Sequence, residues 1–263
     1  MIIDFHTHAF PDALYEKAMH SLSTHSGNMK PAFDGSVYGL NNILDDCGVD
    51  MAVVLNIATN PKQMTNVNDF AISLNRGRLI SFGSVHPDAP CAIEELHRLA
   101  EAGIKGIKLH PDYQNFFVDD ERVFQIYETA AKLKLITVFH AGVDIGYPNP
   151  VHCTPPRLKA ALPVFGGGIA VAAHMGGYLM WNEVMHHLAG SDIYFDTSFS
   201  YSKMPVTYAV DMVKSHGPGK FLLGSDLPWS RTDDEIRFIK SWGLSAKDET
   251  KILGENARIL LGL

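Results

Sequence analysis

Residues 1–8, MIIDFHTH, form a short apolar run that ends in two histidines two positions apart. Such a run predicts a buried β-strand, and side chains two positions apart on a strand share a face. His6 and His8 are therefore placed to bind one ion where this strand ends. Asp4 shares their face, and we expect it either to hydrogen-bond a liganding imidazole or to pack in the core.

Seven further apolar runs follow, and segments with the apolar spacing of helices separate them. The predicted strands are residues 1–5, 51–57, 79–85, 106–110, 135–140, 168–174, 192–196 and 220–226. Apolar strands that alternate with helices indicate a parallel sheet covered on both faces. Eight such units favour an α/β fold, a single-domain (β/α)8 TIM barrel over residues 1–263, and no dinucleotide fingerprint supports an open sheet instead.

Residues 9–39 interrupt this alternation with prolines, glycines, serines and histidines. In a barrel they would form the long first strand-to-helix loop. Loops that follow barrel strands lie on the face that carries the active site. We therefore expect this segment to act as a partial lid.

The composition excludes several classes of partner. Hydrophobic residues make up 46% of the chain and the formal net charge is -7, so no basic surface predicts nucleic-acid binding. No apolar run approaches the roughly 20 residues that cross a bilayer, and no signal peptide is evident. The three cysteines suggest neither disulfides nor a cysteine metal site. We expect a cytoplasmic protein that acts on a small molecule, with homo-oligomer formation left open.

Metal-binding residue types recur at the ends of the predicted strands. They are His6 and His8 after strand one, His110 after strand four, His140 after strand five, His174 after strand six and Asp226 after strand eight. A single histidine in such a place is usually structural, but this series at one end of a barrel indicates a metal site. Imidazole and carboxylate donors suit Zn²⁺ first, and Mn²⁺, Fe²⁺ or Co²⁺ are compatible with them.

Six motifs carry a family resemblance. They are DFHTH (4–8), GIKLHP (106–111), VFHAG (138–142), AHMGG (173–177), LLGSDLPW (222–229) and ILGENARILLGL (252–263). Together they resemble the amidohydrolase superfamily, in the branch that includes aminocarboxymuconate semialdehyde decarboxylase. The resemblance implies a (β/α)8 fold with one or two divalent metals. It also implies that His6, His8, His140 and Asp226 are the ligands of the more buried metal.

Two further positions depend on the same resemblance. His174 matches a strand-six histidine that either hydrogen-bonds the metal water or binds a second ion. Relatives with two metals bridge them at strand four with a carboxylated lysine or a glutamate, and here the candidates are Lys108 and His110. Lys108 is either carboxylated or an ordinary lysine, and His110 binds either a second metal or substrate. We expect one tightly held metal and a weaker second site.

The leading functional prediction is a hydrolase that cleaves a C–N or C–O bond of an amide, cyclic amide or lactone with a metal-activated water. Asp226 would accept the water's proton and pass it to the leaving group, while His174 orients the water. The alternative is a metal-dependent decarboxylase, a lyase, acting on a small unsaturated or aromatic acid. A third reading is a non-catalytic metal-binding scaffold. Arg157, Arg231 and Trp229 are candidate substrate contacts, although each also fits a packing role.

Overall fold

The computed structural model describes residues 1–147 and 149–263, and within them all eight predicted strands are present. The strands are β1 (Ile3–Thr7), β2 (Met51–Leu55), β3 (Leu79–Phe82), β4 (Gly106–Leu109), β5 (Ile136–Phe139), β6 (Ala170–Ala172), β7 (Tyr194–Asp196) and β8 (Phe221–Leu222). Most are shorter than predicted, because the apolar runs continue into the turns that follow them.

Helices separate the strands along the chain. They are α1 (Tyr15–His25), α2 (Val37–Asp46), α3 (Met64–Leu74), α4 (Ala92–Glu101), α5 (Phe124–Lys132), α6 (Pro155–Ala161), α7 (Trp181–His187), α8 (Val206–His216), α9 (Thr232–Lys240), α10 (Ala246–Thr250) and α11 (Asn256–Leu261). A π-helical turn at Lys251–Glu255 joins the last two. Ser245 caps α10, because its side chain accepts a hydrogen bond from the Asp248 amide.

The chain forms two compact units. The terminal unit comprises residues 1–54 and 195–263, and the central unit comprises residues 55–194. Each is described by itself below. A single domain over residues 1–263 stays a prediction.

The terminal unit is built on parallel strands in the order β7, β8, β1, β2. Parallel pairing joins β1 to β2 and β7 to β8. The chain's first strand lies beside its last, because Phe5 N donates to Leu223 O at 2.7 Å and a parallel bridge joins Thr7 to Leu227. All five residues of β1 are buried, although three of them, Asp4, His6 and Thr7, are polar.

The central unit repeats this arrangement with β3, β4, β5 and β6. The last three pair in parallel, and β3 adjoins β4 because Lys108 N donates to Gly83 O at 2.8 Å. The position before Ile107 requires glycine, since a Cβ on Gly106 would lie 2.4 Å from the Phe82 ring. Outside the strands, Tyr127 stacks on Phe165 with ring centroids 4.8 Å apart. These rings form part of the core under α5.

Residues 9–39 are more ordered than predicted. Helix α1 occupies Tyr15–His25, so the segment is not one irregular loop. Pro11 and Pro31 lie outside this helix, where they do not interrupt its hydrogen bonds. The Ser36 side chain then caps α2 by accepting a hydrogen bond from the Gly39 amide. A lid role for this segment stays a prediction.

Within the described residues, no helix has both the length and the apolar character that a membrane crossing requires.

A buried carboxylate orders the loop that follows β7. Glu235 of α9 is fully buried and accepts hydrogen bonds from the amides of Ser200 and Tyr201, both at 3.1 Å, and from Ser230 Oγ at 3.0 Å. Burial raises the pKa of Glu235 well above its usual value, although these hydrogen bonds act in the opposite direction. The folded chain therefore retains this proton to higher pH than the unfolded chain.

Replacing Glu235 with glutamine should weaken the pH dependence of stability. In the wild type, the free energy of unfolding should fall as pH rises above 4.5, the usual glutamate pKa, until the higher folded-state pKa is passed. The sign follows because the unfolded chain loses the proton first. Urea unfolding at several pH values between 5 and 8 measures the slope, and equal slopes for both proteins would contradict the assignment.

Candidate metal centre

Three potential ligands of the terminal unit meet where β1 and β8 end. His8 Nε2 lies 3.2 Å from Asp226 Oδ1, and His6 Nε2 lies 3.4 Å from the same oxygen. The backbone holds them there, because Asp226 N donates to His6 O at 2.8 Å. The His6 side chain is buried, whereas those of His8 and Asp226 are 15% and 14% exposed. We call these three residues the terminal cluster.

Asp226 has an uncommon backbone conformation. Its φ is +70°, in the left-handed region that residues other than glycine seldom adopt. His174, at the end of β6 in the central unit, has a φ of +59°. Such conformations persist where the surrounding structure imposes them, and they concentrate at functional sites. Both of the predicted catalytic residues therefore lie in backbone that local propensity alone does not favour.

His6 is held from behind by a carboxylate that the sequence analysis did not identify. Asp196, the last residue of β7, places Oδ2 2.8 Å from His6 Nδ1, and both side chains are buried. Ser198 completes the arrangement, since its amide donates to Asp196 Oδ1 at 3.0 Å and its hydroxyl donates to the same oxygen. His6 Nε2 is thus the ring nitrogen that faces Asp226.

Asp4 supports the backbone of the terminal cluster. Its carboxylate accepts from the amides of His6 at 3.1 Å and Ser225 at 3.0 Å, and from the hydroxyls of Ser225 and Thr232. Burial raises its pKa to about 6, although these donors lower it. Asp4 therefore ties the end of β1 to the residue before Asp226 through backbone amides and hydroxyl groups.

A second group of potential ligands lies in the central unit. His110, His140 and Asp144 are buried, and their potential ligand atoms all lie within 4.8 Å of one another. The imidazole rings of His110 and His140 stack with centroids 4.1 Å apart, and Tyr113 stacks on the other face of His110 at 3.8 Å. We call His110, His140 and Asp144 the central cluster.

The hydrogen bonds of His110 favour a donor role. Its Nδ1 accepts from the Tyr113 amide at 3.3 Å, so the neutral ring carries its hydrogen on Nε2. That nitrogen lies 3.4 Å from Asp144 Oδ2. Asp144 Oδ1 in turn accepts from the amides of Gly146 and Tyr147. An imidazole in this tautomer offers a hydrogen rather than a lone pair, which favours a substrate contact over metal ligation.

His140 differs, because its Nε2 is buried without a hydrogen-bond partner among the residues that the structure describes. Burial, reinforced by the neighbouring His110 and His174, lowers its pKa well below the usual value and keeps the ring neutral. An unpaired buried nitrogen is costly unless something binds it. A neutral imidazole is also the form that binds metals.

The donor sets fit a divalent cation. The terminal cluster offers two imidazole nitrogens and a carboxylate oxygen close together, which are ligand types that Zn²⁺ and Mn²⁺ accept. The orphaned Nε2 of His140 is a further imidazole donor in the central unit. Candidate metal-binding groups are therefore present in both units.

His174 and Lys108 lie in the central unit with His140. His174 Nε2 is 3.1 Å from His140 Nδ1, so when His140 Nε2 is a ligand, Nδ1–H donates to His174. Lys108 is a buried residue of β4. Carboxylation of Lys108, a second metal at His110, Lys108 or His174, and His140 as a ligand shared with the terminal cluster all stay predictions.

The candidate substrate contacts are engaged with neighbouring side chains. Arg157 Nη1 donates to both oxygens of Asp119, at 2.7 and 3.0 Å. Arg231 Nε donates to Asp233 Oδ1 at 2.9 Å. Trp229 is half-buried, and its amide donates to Asp226 O at 2.7 Å. Trp229 is thus the candidate whose backbone is joined to a residue of the terminal cluster.

Comparison with known proteins identifies the broad relationship. A family model described as Amidohydrolase matches residues 3–263. None of the curated protein sequences compared with the chain matches it significantly. An uncharacterised TIM-barrel protein from Bordetella bronchiseptica has a TM-score of 0.77 at 16% identity, covering 99% of this chain and 98% of that one. The predicted TIM-barrel fold is therefore confirmed.

Two other similar solved structures are of enzymes with a named activity. The 5-carboxyvanillate decarboxylase from Sphingomonas paucimobilis has a TM-score of 0.71 at 15% identity, covering 100% of this chain and 99% of that one. A dihydroxybenzoic acid decarboxylase from a Polaromonas species, solved with manganese and the inhibitor 2-nitroresorcinol, has a TM-score of 0.74 at 15% identity, covering 100% and 97%.

These relatives correct the functional prediction. The sequence analysis placed hydrolysis of a C–N or C–O bond first and decarboxylation second. The structural relatives named above for an activity are both decarboxylases, so the prediction of a hydrolase is wrong and the alternative has the better support. The donor residues did not distinguish the two reactions, because metal-assisted hydrolysis and decarboxylation use the same kinds of ligand.

Proposed function

The chain belongs to the amidohydrolase family, and from this premise we propose that it is a metal-dependent decarboxylase of a small aromatic or unsaturated carboxylic acid. The observation that carries the proposal is the terminal cluster, two imidazoles and a carboxylate converging at the ends of β1 and β8. Its fold is shared over the whole chain with decarboxylases of hydroxylated benzoic acids. Membership of a family of enzymes also supports a catalytic role rather than that of a non-catalytic metal-binding scaffold.

We propose His6, His8 and Asp226 as ligands of a divalent cation. When bound, the cation supplies positive charge that orients the substrate's oxygens and stabilises negative charge as it develops. Zinc was the first expectation from the donor types, and manganese is present in the Polaromonas relative. Elemental analysis of protein purified without added metal decides between them.

Decarboxylation requires a proton as well as charge stabilisation. The bond between the substrate carbon and its carboxylate breaks, carbon dioxide leaves, and the electron pair left on carbon takes up one proton. We assign delivery of that proton to Asp226 Oδ2, because Oδ1 is the oxygen within 3.4 Å of the two imidazoles. Oδ2 would take this proton from water before the bond breaks and regain one from water after each turnover. His174 stays a proposed catalytic residue, and His110 a proposed substrate contact, of the central unit.

The product identifies the reaction directly. Purified protein loaded with Zn²⁺ or Mn²⁺ should release carbon dioxide from members of a panel of hydroxylated benzoic acids and unsaturated acids. Mass spectrometry should show a product that has lost the carboxylate and gained one hydrogen. A parallel panel of amides, cyclic amides and lactones should stay intact. Cleavage of that second panel without any release of carbon dioxide would contradict the proposal.

A further inference from the structure

Asp196 contacts one ring nitrogen of His6 and thereby affects which of the two nitrogens is available to a cation. The two side chains come from β7 and β1, 190 residues apart, and both are buried. Asp196 Oδ2 lies 2.8 Å from His6 Nδ1, and an ionised carboxylate only accepts hydrogen bonds. The contact therefore requires hydrogen on Nδ1. The lone pair of the neutral ring is then on Nε2, which faces Asp226.

Ser198 fixes the carboxylate in turn. Its amide and its hydroxyl both donate to Asp196 Oδ1, leaving Oδ2 directed at the imidazole. Ser198 Oγ also lies 3.0 Å from His6 Nδ1 and offers a second acceptor to the same hydrogen. The hydrogen bonds from Ser198 and from His6 Nδ1 therefore converge on the carboxylate of Asp196.

We propose that Asp196 is a positioning residue that holds His6 in the Nδ1–H tautomer and so presents Nε2 as a metal ligand. The proposal rests on the metal centre proposed above. Carboxylates that hydrogen-bond the far nitrogen of a liganding histidine fix its tautomer and orientation.

The substitution Asp196→Asn tests the direction of the hydrogen bond. The asparagine oxygen should remain on the side of Ser198, because two donors point there. The amide nitrogen then faces His6 Nδ1 and donates to it, which moves the imidazole hydrogen to Nε2. Asp196→Ala removes the acceptor without supplying a donor. Asp196→Asn should therefore weaken metal binding more than Asp196→Ala does, the reverse of what lost packing would produce.

Two readouts separate positioning from general damage. Nitrogen-15 NMR of the metal-free protein should show His6 protonated at Nδ1 in the wild type and at Nε2 in Asp196→Asn. Zn²⁺ affinity, measured by competition with a chelator, should fall by about 10- to 100-fold in Asp196→Asn. Glu235→Gln is the matched control, because it also replaces a fully buried carboxylate but should leave both readouts unchanged.

The possible results distinguish failure of the positioning role of Asp196 from failure of the proposed metal centre. A wild-type His6 protonated at Nε2, or Zn²⁺ affinity in Asp196→Asn equal to that of Glu235→Gln, would overturn the positioning role and leave the metal centre standing. Absence of Zn²⁺ and Mn²⁺ binding by the wild type would overturn the metal centre and the positioning role together. The NMR measurement on the wild type decides the tautomer even if the variants fail to fold.

Discussion

Replacing both His6 and His8 with alanine will remove the bound metal and reduce decarboxylation below detection. The two imidazoles are two of the three potential ligands in the terminal cluster, and Asp226 alone cannot hold a divalent cation tightly. The chain should stay folded, because neither ring is part of the apolar core. Loss of His6 leaves Asp196 buried without its imidazole partner, so the free energy of unfolding should fall by about 1–3 kcal/mol.

Metal content by elemental analysis, circular dichroism and carbon dioxide release measure the three expected results. The matched control is the double substitution of His20 and His25, two exposed histidines of α1 in the same unit. That protein should keep wild-type metal content and activity. Full metal content in the His6 and His8 double variant would show that the terminal cluster is not the metal centre.

The sequence predicted the parts of this molecule that depend on short-range pattern. Most residues of the eight strands are buried, and the apolar runs in which the strands lie are recognised without knowing their neighbours. His6 and His8 follow from a two-residue period on one strand. Asp226 followed from its place after the last strand, and the structure puts it beside them through the hydrogen bond from its amide to His6 O.

Contacts between distant strands were not predictable from such patterns. Asp196 ends β7 like many aspartates that close a strand, and nothing near it in the sequence points to His6, 190 residues away. Asp144 lies in an irregular segment, where periodicity carries no information about its neighbour His110. Helix α1 was missed for a different reason. Prolines and glycines flank it, and because these residues are typical of loops, the sequence predicted a loop over all of residues 9–39.

Neither the sequence patterns nor the contacts between distant strands distinguish hydrolysis from decarboxylation. The terminal cluster fixes where positive charge and a proton would be available, and both reactions use a cation and one carboxylate. They differ in what the proton is delivered to: the leaving nitrogen or oxygen in hydrolysis, and a carbon atom in decarboxylation. A variant that keeps the cation but cannot deliver the proton therefore tests the mechanism more directly than one that loses the metal.

Replacing Asp226 with asparagine will reduce turnover by about 10²- to 10⁴-fold, the usual contribution of a positioned proton donor, with a much smaller change in KM. Asparagine has nearly the shape of aspartate and keeps an oxygen that can face His6 and His8. It has no acidic proton to deliver, so the electron pair left when carbon dioxide departs would depend on water for its proton.

Turnover by the Asp226→Asn variant must be compared at equal metal content, which elemental analysis establishes for each preparation. In deuterated water, the wild-type product should carry deuterium at the carbon that lost its carboxylate, and the variant should form the same product slowly. Glu235→Gln again controls for the loss of a partly or fully buried carboxylate, and its turnover should match the wild type. Near-normal turnover in metal-loaded Asp226→Asn would exclude Asp226 as the proton donor, because the asparagine side chain has no acidic proton to deliver to the carbon.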